Sequence, residues 1–276
     1  SFDLADKVIH RDVCSFARAL VEHRLREDHL NGEDQSSARQ AEIEAVGHRC
    51  PGRAGIVLTD CCDSLRRAGD VLRAQDQKVF MLRLPHKDGP CARQLYKQEL
   101  LRLIDEFSSE TGKEFDLARF RAACERAAHR GRAGSTSGPS IALLGARVSD
   151  PLLERIRSLS PIPVANLTCT GNRRVGPAPQ DENFHELMDW YAGELLSQPP
   201  CMRMADISPR RELLNDPNLR GVIYSTVSFC DYYGFEYAGL RKSLEVPLVK
   251  IETDYTGQAD AQLENRLDAL FETLGP

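Results

Sequence analysis

Short apolar runs, each separated from the next by a helix-like stretch, most limit what this chain can become. 55-GIVLTD-60 reads as a buried strand, 64-SLRRAGDVLRA-74 as a helix and 78-KVFMLRLP-85 as a second strand stopped by Pro85. Strand–helix–strand is the unit of a parallel sheet, whose interior strands show as continuous apolar runs. Helical sequence then extends from about Gln94 to Arg130, broken near 111-TGKEFD-116, where 111-TGKE-114 or Asp116 supplies the second start. The alternation resumes with strand 141-IALLG-145, helix 150-DPLLERIRSL-159 and strand 162-IPVANL-167, followed by a helix over 181–197. Strand 221-GVIYSTV-227, helix 234-GFEYAGLRKSLE-245, strand 247-PLVKIETD-254 and helix 260-DAQLENRLDALFETL-274 complete it. The expectation is an α/β chain of two doubly wound, Rossmann-like parallel-sheet domains with a helical connection. Residues 1–130 would form the first domain and 141–276 the second, with 131-GRAGSTSGPS-140 as linker.

Bulk properties narrow the function. With 276 residues, 41% of them hydrophobic, the chain is long enough for substantial cores. A formal charge of −5 and basic residues in pairs (Arg66-Arg67, Arg173-Arg174, Arg210-Arg211) argue against a nucleic-acid surface. No apolar run approaches the roughly 20 residues of a membrane span, and the opening residues carry no signal-peptide pattern. A soluble, cytoplasmic protein is expected.

Nine cysteines then need a reason. An odd count without a secretory signal argues against a disulfide framework. Cys124, at helical spacing among apolar residues, reads as core, and Cys91 beside Pro90 as incidental. The others fall at telling places. Cys61 and Cys62 follow GIVLTD, Cys169 follows IPVANLT, and Cys230 follows GVIYSTVSF. These are carboxyl ends of strands, where open α/β sheets bind ligands. Cys14 heads the helix 14-CSFARALVEHRL-25, where N–H groups and dipole would stabilise a thiolate. Cys50 precedes Pro51, and Cys201 follows Pro199-Pro200. Three readings stay open: small buried residues, a zinc site without its usual paired knuckles, or an iron–sulfur cluster held by thiolates from distant loops.

The segment from Gly221 to Leu274 resembles the 2-hydroxyacyl-CoA dehydratase and benzoyl-CoA reductase family. Cys230, Glu236, 251-IETDY-255, Gln262, Arg266 and Glu272 match its pattern position by position, and 14-CSFARAL-20, 62-CDSLRR-67 and 82-LRLPHK-87 also have counterparts in it. The resemblance implies that Cys14, Cys62 and Cys230 hold a [4Fe-4S] cluster, with Cys61 packing beside it. The block 166-NLTCTG-171, 200-PCM-202 with Arg210, and 49-RCP-51 are similar to elements of the double-cubane branch. There Cys14, Cys50, Cys62, Cys169, Cys201 and Cys230 would together hold an [8Fe-9S] centre between the domains.

The activity so implied is an iron–sulfur oxidoreductase, expected in an anaerobic setting, that reduces a small-molecule substrate. The resemblance also implies that it is charged by an ATP-dependent iron–sulfur activator protein; this chain has no phosphate-binding G-x-x-x-x-G-K-[ST] loop, so nucleotide hydrolysis would belong to that partner. Stretches shorter than the family pattern, ahead of Cys14 and at 131–140, leave a [4Fe-4S] subunit of an acyl-CoA dehydratase as one alternative and an electron carrier or cluster scaffold as another. A homodimer is expected. Glu236 could orient a ligand or relay protons, or simply be a solvated helix residue. His86 could deliver protons, or sit on the surface. Lys250, inside an apolar strand, needs an anionic partner or an edge from which to reach solvent. Tyr232 and Tyr233 would shield a cluster or serve as aromatic core.

Overall fold

A computed structural model describes residues 1–32, 55–131, 138–169, 171, 175–180, 182–198, 214–255 and 260–274. Cys50, Cys201, Arg173, Arg174, Arg210 and most of the expected linker lie outside the described residues. The chain divides into two compact units, Ser1–Leu84 with Arg102–Glu114, and Pro85–Leu101 with Phe115–Pro276.

In the first unit, a single 3-10 turn (Ala5–Lys7) precedes helix α1 (Ser15–Gly32). Strands β1 (Ile56–Thr59) and β2 (Val79–Leu82) pair in parallel, in register from Ile56↔Val79 to Thr59↔Leu82, and helix α2 (Asp63–Ala74) connects them. The connection must be a helix, because parallel neighbours need a crossover too long for a hairpin. Ala68, Gly69, Val71 and Leu72 are the buried stripe of α2, at the i, i+3, i+4 spacing of a helix that lies on a sheet. Asp76, with φ 58°, ends it in a left-handed turn, and Gln77 N–H returns to Leu72 O at 2.9 Å.

Helix α3 (Pro90–Thr111) begins within the residues of the second unit, and its later turns belong to the first. Gly112 (φ 64°) follows it, and helix α4 (Leu117–Gly131) begins at Asp116, whose Oδ1 accepts Arg119 N–H at 3.0 Å. Of the two starts offered by 111-TGKEFD-116, Asp116 is therefore the one used.

The second unit is built on four parallel strands in the order β4-β3-β5-β6: β3 (Ser140–Gly145), β4 (Val164–Asn166), β5 (Leu219–Val227) and β6 (Leu248–Thr253). Helix α5 (Asp150–Leu159) links β3 to β4, α6 (Phe184–Leu196) lies between β4 and β5, α7 (Asp231–Ser243) links β5 to β6, and α8 (Asp260–Leu274) follows. Every residue of β3 is buried, as expected of a strand with neighbours on both sides and helices on both faces. One face packs Ile141, Leu143, Ile223 and Ile251 against Ile156 of α5 and Leu263, Leu267 and Leu270 of α8. On the other face Tyr224 meets Tyr237 of α7, ring centroids 5.7 Å apart.

Both units thus carry parallel sheets flanked by helices, the expected Rossmann-like α/β class. No helix among the described residues is long and apolar enough to cross a membrane.

Candidate functional site

Helices usually start on Ser, Thr, Asp or Asn, whose side chains accept one of the orphan N–H groups of the first turn. Asp116, Ser149 and Asn183 do this for α4, α5 and α6, and Asn183 forms a full capping box with Glu186. Three other helices start on cysteine. Cys62 and Cys230 are the extended cap residues of α2 and α7, and neither makes a side-chain capping bond to its helix. Their carbonyls accept the first helical bonds, from Arg66 at 3.1 Å and Gly234 at 3.3 Å. Cys14 does the same for Arg18 at 3.1 Å. Cysteine is a poor cap, so local stability does not account for it three times over. What the position offers a sulfur is a ring of N–H groups and a positive dipole end.

The sequence places Cys61 and Cys62 side by side, but the structure gives them different surroundings. Cys61 Sγ accepts the Thr59 hydroxyl at 3.3 Å, whereas Cys62 carries the cap. Asp60, ahead of both, ties the two strand ends: its N–H reaches Leu82 O at 3.1 Å and its Oδ1 accepts Leu84 N–H at 3.0 Å.

Cys169 sits in a turn organised by Asn166. Asn166 Oδ1 accepts the Thr168 N–H (3.2 Å) and hydroxyl (2.7 Å), Gly171 N–H closes on Thr168 O (2.9 Å), and Cys169 N–H reaches Gly145 O (3.2 Å). Both glycines are steric requirements. A Cβ on Gly171 would lie 2.2 Å from Asn166 O, and one on Gly145 (φ 92°) 2.1 Å from Ser225 O. Gly145, the last residue of β3, pairs with Ser225 of β5, and the connections of these neighbouring strands leave to opposite sides, which is the switch point of a doubly wound sheet. Cys169 and Cys230 therefore both emerge at the carboxyl edge of this sheet, after β4 and β5.

The turn into α7 is tight. Cys230 N–H bonds Val227 O at 3.0 Å, with Phe229 in between at φ 63°, a left-handed conformation that is uncommon for a bulky side chain. Ser228 N–H reaches Thr253 O (3.1 Å), and its hydroxyl donates to Glu252 Oε1 (3.1 Å). Glu252 Oε2 pairs with Lys250 Nζ at 2.8 Å. That lysine bond is the main cause holding the Glu252 carboxyl below its ordinary range against partial burial, with the Ser228 bond and the nearby Arg266 charge adding to it.

One family model, described as 2-hydroxyglutaryl-CoA dehydratase, D-component, matches residues 1–133 and 126–274. The chain belongs to that family. No curated protein matches it.

In this D-component family member the motif residues take definite places. Glu236, on α7, accepts a hydrogen bond from the hydroxyl of Tyr224, a fully buried side chain. Lys250, on the edge strand β6, is half-buried, points its ammonium at the Tyr237 ring (5.8 Å to the centroid) and has Glu252 as its counter-ion. Arg266 donates to Lys250 O at 2.9 Å, so α8 buttresses the same strand. His86 is exposed in the bend after β2. Tyr233 is buried, while Tyr232, Phe229 and Phe235 are exposed around the start of α7. Cys124 is buried and its thiol pushed up, first by burial and then by the Glu194 charge. Cys91 is exposed on the first turn of α3.

Among the described residues, no three His, Cys, Asp or Glu side chains are gathered as a set of metal donors. Sequence reasoning missed Ser228 and Tyr224, and saw Glu252 only as a letter of the I-E-T-D-Y motif. Alternation supplied a usable signal: Tyr224 and Thr226 on β5, with Lys250 and Glu252 on β6, are hydrogen-bonding positions two residues apart in largely apolar strands, and their registers coincide.

Proposed function

We propose that the chain is an iron–sulfur oxidoreductase component of the dehydratase type, holding its cluster through cysteine thiolates. The observation that carries this reading is the use of Cys14, Cys62 and Cys230 to begin helices where other helices of the same chain use Asp, Ser and Asn. The donor set fits the group: all three are sulfur ligands, and each lies beside first-turn N–H groups that offset thiolate and sulfide charge.

When bound, such a cluster would supply single electrons at low potential. The work of the chain's own residues is then to hold it and to manage charge nearby. Glu236, whose carboxylate accepts the Tyr224 hydroxyl, is the residue we assign to orienting a ligand or relaying protons. Lys250 pairs with the Glu252 carboxylate, and exposed His86 is the residue we assign to proton delivery.

Cys169 favours the larger, double-cubane [8Fe-9S] form, because its turn is constrained by two glycines and Asn166 although no helix starts there. In that form Cys50 and Cys201 complete six ligands. A small molecule is reduced, an ATP-dependent activator delivers the electrons, and two copies of the chain associate. The second reading, a single [4Fe-4S] cluster in an acyl-CoA dehydratase subunit, is favoured by the family's description.

Iron and acid-labile sulfide, measured on anaerobically purified protein, separate the two. About eight irons per chain support the first form, about four the second, and none defeats both. Cys169→Ala is expected to remove about half the iron in the first case and none in the second.

A further inference from the structure

We infer that Glu252 is a positioning residue for Cys230: held by Lys250, its carboxylate clamps Ser228 and so fixes the turn that sets Cys230 at the head of α7. The inference rests on the reading of Cys230 as a cluster ligand.

The turn is short, and Cys230 N–H closes it on Val227 O at 3.0 Å. Between the last residue of β5, Val227, and the cap of α7, the chain has only Ser228 and Phe229, and Phe229 takes a left-handed conformation that opposes it with steric strain. A strained residue persists only where its neighbours over-determine it. Here the flanking residue Ser228 is gripped twice by β6, through its N–H on Thr253 O (3.1 Å) and its hydroxyl on Glu252 Oε1 (3.1 Å). The grip needs a carboxylate at a fixed place. Lys250, two residues back on the same face of β6, bonds the other oxygen at 2.8 Å. Lys250 is itself set over the Tyr237 ring of α7, and its carbonyl is held by Arg266 of α8.

The strand end is fastened a second time. Tyr255 (φ 62°) N–H bonds Thr253 Oγ1 at 3.1 Å, and its hydroxyl donates to Arg147 O at 2.7 Å across the edge of the sheet. The I-E-T-D-Y stretch thereby acquires a mechanical meaning: Ile251 anchors the strand in the core, Glu252 and Thr253 grip the cysteine turn, and Tyr255 fastens the strand end. Bonds to a charged acceptor are the stronger kind, so the hydroxyl–carboxylate contact should dominate the grip.

The test compares the full chain with Ser228→Ala, Glu252→Gln and Ser228→Thr. In metal-free protein, amide hydrogen exchange over 227–234 is expected to quicken about fivefold or more in the first two variants. Exchange over 141–145 should keep the parent rate. Ser228→Thr, which keeps the hydroxyl, should restore protection, and the Ser228→Ala/Glu252→Gln double variant should add nothing to either single change. After anaerobic reconstitution, the midpoint potential and the reduced-state EPR signal should shift in both disruptive variants and not in Ser228→Thr, a result that loss of fold alone does not produce.

A parent chain that binds no iron overturns the ligand reading and the positioning role with it. A parent that binds iron, with variants unchanged in exchange over 227–234 or equally quickened over 141–145, overturns the clamp alone.

Discussion

Cysteine at three helix starts forgoes the local stability that a better cap would supply, and the difference can be measured. Replacing Cys62 by Ser, or Cys230 by Asp, installs a side chain able to accept a first-turn N–H in a backbone already extended at the cap (φ −156° and −106°). Good caps add about 0.5–2 kcal/mol over poor ones. Each variant is therefore expected to melt a few degrees higher than the parent in metal-free form, and to retain less iron after reconstitution. Thermal melts and iron assays on the same preparations check both halves. A lower melting point with iron retention unchanged would mean that the cysteines are simply packed residues.

At the scale of elements, the chain's opening is fastened to α1 by charge. Glu22, 5% exposed, accepts the N–H groups of Leu4 (2.8 Å) and Ala5 (2.7 Å) and bonds Arg26. Arg18 meanwhile bonds Asp6 and lies over the Phe2 ring. Burial, the largest influence, would raise the Glu22 carboxyl, but the Ala5, Arg26 and Leu4 bonds together outweigh it and hold it below its ordinary range. A depressed carboxyl contributes stability that is whole above the unfolded value near 4.5 and is lost as pH falls through the folded one. Glu22→Gln is expected to be less stable than the parent at pH 7, with the gap closing as pH drops below about 4.5. Urea titrations at a series of pH values test this, and a gap independent of pH would refute it.

These elements were legible in unequal measure. Continuous apolar runs gave the six strands found among the described residues, and Asp150-Pro151 gave the start of α5 within the residue. Helix α7 begins at Asp231, three residues before the expected Gly234, because Gly234 resembles a breaker while the true cap is a cysteine. Strand β4 is shorter than 162–167, since Pro163 has no N–H to place in the ladder. The cysteine positions were readable, but the clamp beside Cys230 was not. It depends on which residues of two strands share a face and a register, and on a left-handed phenylalanine that no residue pattern announces.

For the molecule as a whole, the four-stranded sheet carries an extensive apolar core, and its failure should be cooperative. Leu267 is fully buried against Ile251 and Ile223 at the heart of that core. Leu267→Ala is expected to cost about 2–5 kcal/mol, seen as a lower urea midpoint with little change in slope. All four strands of this sheet run the same way, so Cys169 and Cys230 leave from one rim. The opposite rim carries the exposed turn Asn215–Pro217 before β5. An epitope tag or fluorescent label spliced into that turn would ride at a distance of one strand length from the thiols, giving a handle for immobilising the protein on an electrode with its sulfur-bearing side turned away.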